Sequence, residues 1–313
     1  ASSIRYEGDT ITITMENILS DVKILRKPEF ETVRYNTKLS FIPSERNLVS
    51  VIRNIDQSYR SAESDVLFNY IFEWGEAKDS YTAEHPKRLS FTDNIEYIND
   101  GGNDLVRLIN ENKMIPAYYA SSGVQSAMPL DVMVDYFTGL VGKNASVSKH
   151  DLANTLARYL GKDKELTNEM LKSISNKMKY QSVQLFIEEP EQNLYPDSQR
   201  NLTINLVCAL KQAMPKGRGD SMLVMTTHSP YILSTLNVLI AEAYAMDAKP
   251  KSDKLRNIVN KECLFPLSAY SAYYIQEDGK FADIIDKDIT MISGNELDGV
   301  SDWADDKLSL IHI

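Results

Sequence analysis

Two segments of the 313-residue chain restrict its fold more than any other feature: Leu185 to Pro196, LFIEEPEQNLYP, and Val224 to Tyr231, VMTTHSPY. Each is a short apolar run that stops at polar or charged residues and is followed within a few positions by Pro and a helical pattern. A run of four to eight apolar residues suits a strand buried on both faces. Ser229 followed by Pro230 is a strong helix start, a capping hydroxyl before a residue whose missing N–H costs nothing in the first turn. Strand, helix, strand, helix predicts a mostly parallel, helix-covered α/β sheet, and in such sheets the site lies beyond the carboxyl ends of the strands. Glu188, Glu189 and His228 fall there.

The remaining pattern fills in around this core. Ile4 to Ile13 alternates about Glu7, Gly8 and Asp9 as a β-hairpin does, and Lys38 to Pro43 reads as a strand. Ser44 to about Phe72 reads as helix, Trp74 to Gly102 as polar loops, Asn103 to Asn112 as helix and Ile115 to Tyr119 as a short strand. Leu130, Met133, Val134 and Phe137 form an amphipathic stripe after the turn Ala120 to Ser126. Further helices are expected over His150 to Leu160 and Leu166 to Lys179. The domain reading is residues 1–43 as an N-terminal subdomain, 44–180 as an inserted helical lobe and 181–307 as the C-terminal core. Residues 308–313, LSLIHI, resemble a translated sequencing adapter, and the start at Ala1 without Met reads as internal.

Composition removes several function classes. Asp plus Glu outnumber Lys plus Arg, 44 to 34, so the overall field does not draw the protein to nucleic acid, although a local basic groove stays open. No apolar stretch is long enough to span a membrane and no secretory leader is visible, which makes a cytoplasmic setting the simplest. Cys208 and Cys263 make neither a CxxC nor a Cys/His cluster, arguing against a disulfide framework or a zinc site.

Phosphoryl transfer to water needs charge neutralisation and a positioned water more than covalent chemistry. A carboxylate at Glu188 can hold Mg2+ through its water shell, and Glu189 can orient or deprotonate the attacking water. Taken alone, two acids before a helix are more often a solvated, dipole-favoured pair; the strand before them and His228 one strand later shift the balance to function. His228 stands before a helix N-terminus, where a phosphate oxygen is welcome. Ser121, Ser122, Gly123 and Gln125, in Ala120-Ser-Ser-Gly-Val-Gln125, offer hydroxyls and backbone N–H groups to an anion at the start of another helix.

Together the EEPE strand, the TTHSP turn and the ASSGVQ turn resemble Walker B, the switch histidine and a variant of the LSGGxQ signature. The chain in this respect is similar to bacterial ABC-like AAA-type ATPases, related to the ATPase part of overcoming-lysogenization-defect nucleases and to SMC-like heads. The resemblance implies a P-loop NTPase fold of ABC type and ATP with Mg2+ as ligands. It also implies a homodimer that sandwiches ATP, with Ser121 and Gly123 acting in trans on the nucleotide of the opposite subunit. A protein effector, a role in phage defence, a nucleotide-gated scaffold or a nuclease-linked ATPase are the settings it leaves open. Phe41 to Arg46, FIPSER, also looks familial; Arg46 reads equally as a helix-start salt-bridge partner. Leu267 to Asp283 resembles a closing hairpin. No GxxxxGK[ST] occurs in the sequence, and Gly139 to Ser146, GLVGKNAS, lacks its spacing. In the family this cradle lies upstream of the first hairpin, so a missing N-terminal segment explains its absence, and the chain alone is expected to be inactive.

Overall fold

The computed structural model describes residues 3–8, 11–17, 21–27, 36–52, 55, 65–143, 179–217, 221–250 and 252–294. The helices expected over His150 to Leu160 and Leu166 to Lys179, and residues 308–313, lie outside these, apart from Lys179 itself. Contacts divide the chain into two units, Ala1–Asn36 and Thr37–Ile313. In the first, the expected hairpin is present as β1 (Ile4–Glu7) and β2 (Ile11–Met15), and β3 (Lys23–Arg26) adds a third antiparallel strand.

The second unit is built on a parallel sheet of β4 (Thr37–Ile42), β9 (Ser182–Glu188) and β10 (Met222–Thr226), in the order β10-β9-β4. Its strands alternate: Lys38, Ser40, Ile42, Val183, Leu185 and Ile187 are buried on one face, while Leu39 and Phe41 point to the other and stay exposed. Buried Lys38 is paired with Glu73, which accepts from it at 2.6 Å and also from Ser40 at 2.5 Å. A buried ion is tolerated only when paired and hydrogen-bonded in this way.

Between β4 and β9 the described residues form short α1 (Leu48–Val51), α2 (Val66–Lys78), four antiparallel strands and the long α3 (Ser122–Leu140). The strands are β5 (Lys87–Arg88), β6 (Ile95–Asp100), β7 (Asn103–Leu108) and β8 (Lys113–Pro116). Two expectations are thereby corrected. The helix expected over Asn103 to Asn112 is strand β7, and the loops expected over Trp74 to Gly102 hold the end of α2 and strands β5 and β6. The physical reason is the Gly101-Gly102 pair, at φ 58° and 91° between the partners Asp100 and Asn103. Both central residues of a type I′ hairpin turn need positive φ, and glycine supplies it without strain. Trp74, fully buried on α2, packs on Tyr97 of β6 at 5.5 Å between ring centroids.

Helix α3 is the axis of the core. Its expected stripe is buried, but so are Met128 and Val132 on the remaining faces, because α2, the parallel sheet and α4 (Pro196–Ala213) all pack on it. A helix apolar all round is one that is surrounded. Its single buried carboxylate, Asp131, is met by Ser90 N at 2.5 Å, Asn205 Nδ2 at 3.0 Å and Lys87 Nζ at 3.7 Å. Gly142 and Lys143, the pair noted in GLVGKNAS, follow the end of this helix.

Helix α4 joins β9 to β10, and α5 (Pro230–Ala248) follows β10 with Ser229 capping it through Tyr231 N at 3.1 Å. After α6 (Asp253–Ile258), the closing hairpin appears as β11 (Tyr273–Ile275) and β12 (Phe281–Asp283). A further pair, β13 (Ile285–Asp286) with β14 (Met291–Ile292), packs Ile292 against Leu233 and Ile240. Cys208 of α4 and Cys263 are paired with each other, a single disulfide where cysteine number and spacing argue against a disulfide framework. Their side chains belong to the small apolar cluster of Val207, Leu239 and Phe265, so it is tertiary packing of α4 that brings them together. Among the described residues no helix is long and apolar enough to cross a membrane.

Candidate functional site

The register of the parallel sheet decides what meets at its edge. Ile42 pairs with Ile187 and Thr226 with Glu188, so the chain leaves all three strands at one level. Pro43 and Ser44, Glu188 and Glu189, and Thr227 and His228 therefore share the carboxyl edge. This is where the alternation of strand and helix places a site.

Glu188 is partly buried. Its Oε2 accepts from the backbone N–H of Ser44 at 3.2 Å and from the Ser44 hydroxyl at 3.5 Å, so the FIPSER turn holds one Walker B-like carboxylate. Glu189 leaves the strand at φ 42°, a left-handed backbone that a non-glycine residue adopts at a cost. Its N–H donates to Thr226 O at 2.9 Å, fixing the turn to the neighbouring strand. The result aims the Glu189 carboxylate toward His228, whose Nε2 stands 4.0 Å from Glu189 Oε1. The imidazole is 86% exposed and the Glu189 side chain 43% exposed. Both are open to an incoming ligand.

Glu191 is a site residue that the sequence pattern does not single out. Its Oε1 accepts from Thr227 Oγ1 at 2.8 Å and from His228 N at 2.7 Å, tying the turn after β9 to the turn after β10. Its other oxygen, Oε2, is buried and has no hydrogen-bond partner among the described residues. Nothing local distinguishes this acid from any other after a Pro; only the parallel pairing of β9 and β10 brings it to the histidine turn. Ser229, next in that turn, donates to Gln199 Oε1 at 2.5 Å, and Gln199 Nε2 donates to Leu194 O at 2.9 Å.

The signature-like turn forms the exposed start of α3. Ser121 is the N-cap, accepting from Val124 N at 3.4 Å, and Ser122 is exposed beside it. Gly123 has a structural reason of its own: a Cβ there lies 2.7 Å from the backbone oxygen of Asn193, in the turn after β9. Gln125 turns its amide inward, donating to Tyr118 O at 2.9 Å. Ser126 donates to Gln192 Oε1 at 2.8 Å. The turn that carries Glu188 and Glu189 thus runs directly beneath the start of α3.

Arg46 is fully buried and, among the described contacts, makes no salt bridge, contrary to the helix-start alternative. Its guanidinium donates to backbone oxygens: Nε to Ser126 at 2.9 Å, Nη1 to Glu188 at 2.7 Å and Pro43 at 3.3 Å, and Nη2 to Glu189 at 2.7 Å. Burial lowers its affinity for the proton from the ordinary arginine value; Tyr70 and the carboxylates of Glu191, Glu189 and Glu188 act in the opposite sense.

The donor set is compatible with Mg2+ only in company. Among the described residues no three His, Cys, Asp or Glu side chains cluster as a metal cage. A hard cation that retains waters and takes one or two carboxylates together with phosphate oxygens needs no such cage. Glu188 and the Ser44 hydroxyl could supply that share.

The family described as AAA ATPase domain matches residues 14–233, more than half of the chain, and the match includes Arg46, the ASSGVQ turn, Glu188 to Glu191 and His228. No curated protein matches the chain. With its parallel sheet and both strand-end motifs inside the matched span, the chain belongs to the AAA ATPase domain family, nucleotide-binding proteins that hydrolyse ATP.

Proposed function

We propose that this chain forms the water-activating and γ-phosphate-sensing half of an ATP site that is completed between two copies of the protein, and that hydrolysis drives a protein partner. The observation that supports this best is the meeting of Glu189 and His228 at 4.0 Å on the strand edge that also carries Glu188. Glu189 accepts the proton of the attacking water through Oε1, a role that asks for a carboxylate within hydrogen-bond reach of that water. His228 Nε2 donates to the terminal phosphate, and Glu188 with the Ser44 hydroxyl holds Mg2+. Bound there, the cation neutralises charge that builds on the phosphate oxygens. Ser121 and Gly123, at the exposed start of α3, engage the nucleotide of the opposite copy. These 313 residues contain no GxxxxGK[ST].

Two measurements test this. The 313-residue chain, titrated with Mg-ATP by calorimetry, is expected to give no binding heat; micromolar affinity would overturn the division of the site. In the full-length protein, Glu189→Gln is expected to keep ATP-dependent dimers in light scattering while turnover is lost. Turnover without ATP-dependent dimers would remove Ser121 and Gly123 from the mechanism.

A further inference from the structure

We infer that Arg46 is a positioning residue that couples the start of α3 to the catalytic edge, so that contact at the signature-like turn is transmitted to Glu189. The inference rests on the ATP-sandwich reading above.

The geometry is specific. Pro129 lies inside α3, and a proline in a helix has no N–H for the carbonyl four residues back. That carbonyl belongs to Gln125. Ser50 Oγ donates to it at 2.8 Å, and Arg46 Nε donates to the next carbonyl, Ser126 O, at 2.9 Å. Arg46 and Ser50 are four apart along the short helical stretch from Ser44 to Val51, so they face α3 together. Pro129 thus leaves Gln125 O free for a side chain from another segment.

The other end of the same guanidinium holds Glu188 O and Glu189 O, each at 2.7 Å. Glu189 is the residue with φ 42°; its backbone needs external support to keep that conformation. Tyr70 donates to Arg46 O at 2.7 Å and fixes the arginine's own backbone. One rigid, planar, fully buried group therefore bonds the helix capped by Ser121 and the carbonyls of both strand-end glutamates. Lysine, a single ammonium on a flexible stem, cannot bridge such a set. A displacement of α3 on contact with the opposite copy moves Ser126 O, and the guanidinium passes that movement to the Glu189 turn.

The test is steady-state turnover, ATP-dependent dimerisation and thermal unfolding of the full-length protein with Arg46→Lys, Ser121→Ala and the double substitution. Arg46→Lys is expected to lower kcat about 100-fold, the scale of a 1 Å misplacement of a catalytic group, with KM changed less than about threefold. The double variant is expected to be no slower than the slower single variant, because both substitutions interrupt one line of transmission. Additive losses, or a fall in melting temperature with normal kcat, would overturn the coupling. Should Arg46→Lys not fold, Ser50→Ala, which breaks only the bond to Gln125 O, takes its place: a kcat loss non-additive with Ser121→Ala supports coupling and an additive or absent one overturns it. Absent turnover in the wild type, or turnover indifferent to Ser121→Ala, overturns the sandwich reading and the coupling with it. Sensitivity to Ser121→Ala with additive behaviour overturns the coupling alone.

Discussion

His228 Nε2 and Glu189 Oε1 face one another at 4.0 Å across the ends of two neighbouring parallel strands. The gap is wider than a direct hydrogen bond, and both side chains are open to solvent. Substitution here should therefore change chemistry and spare the fold. In the full-length protein His228→Ala is expected to lower kcat at least about tenfold and Glu189→Gln about 100-fold or more, the range of general acid–base contributions. Melting temperatures are expected to stay at the wild-type value. Wild-type turnover in either variant would remove that residue from the site.

Glu191 should behave differently, because it is held. Its carboxylate accepts from Thr227 Oγ1 and His228 N. Glu191→Ala leaves both donors to seek other partners, at a cost of about 1–3 kcal/mol in unfolding free energy. Denaturant unfolding measures it. A loss of turnover is expected to accompany the loss of stability, since the freed turn carries His228.

Ser121 and Gly123 separate a structural role from a functional one. Ser121→Ala removes a cap hydroxyl and is expected to cost about 1 kcal/mol or less, measured without nucleotide. Gly123→Ala places a methyl 2.7 Å from Asn193 O, so the turn after β9 must shift, and a cost of about 1–3 kcal/mol is expected. If ATP-dependent dimerisation falls in Ser121→Ala while apo stability is kept, the hydroxyl serves the nucleotide. Unchanged dimerisation would reduce it to a cap.

The Asp131–Lys87 pair predicts a pH dependence. Burial raises the Asp131 carboxyl above its ordinary value, with Lys87 and Ser90 opposing that rise. Burial also works against the Lys87 charge, but the carboxylates of Asp131 and Asp135 outweigh it and raise Lys87 above 10.5. Lys87→Met strands a fully buried carboxylate, and the loss near neutral pH is expected to be about 3–5 kcal/mol. A raised lysine stabilises fully below its unfolded value of 10.5 and loses that contribution as pH climbs through the folded value. The deficit of the variant should accordingly shrink in strongly alkaline solution. It should also shrink in acid, as Asp131 takes up its proton below its raised folded value. Denaturant unfolding of wild type and variant across pH is the measurement, and a deficit independent of pH would place the cost in lost packing instead.

Asn103 to Leu108 of the segment expected as a helix pairs as a strand because a glycine turn precedes it. The Gly101-Gly102 pair between alternating apolar runs carries the hairpin signal, but taking it as a loop marker hid β7 and with it the sheet of β5 to β8. The stripe on α3 was legible as one face. That Met128 and Val132 are buried too depends on neighbours approaching from other parts of the chain.

Local pattern sufficed for the parallel strands, for the helices that follow them and for the level at which Glu188, Glu189 and His228 leave the sheet, because apolar runs, proline and capping hydroxyls act over a few residues. The partners of those residues were decided by tertiary structure. Ser44 on Glu188, Glu191 on the His228 turn, and Arg46 between Ser126 and both glutamate carbonyls join segments far apart in the chain. The Arg46 contacts satisfy a guanidinium that burial has cut off from water, and which groups are cut off is known only once the sheet and α3 have packed.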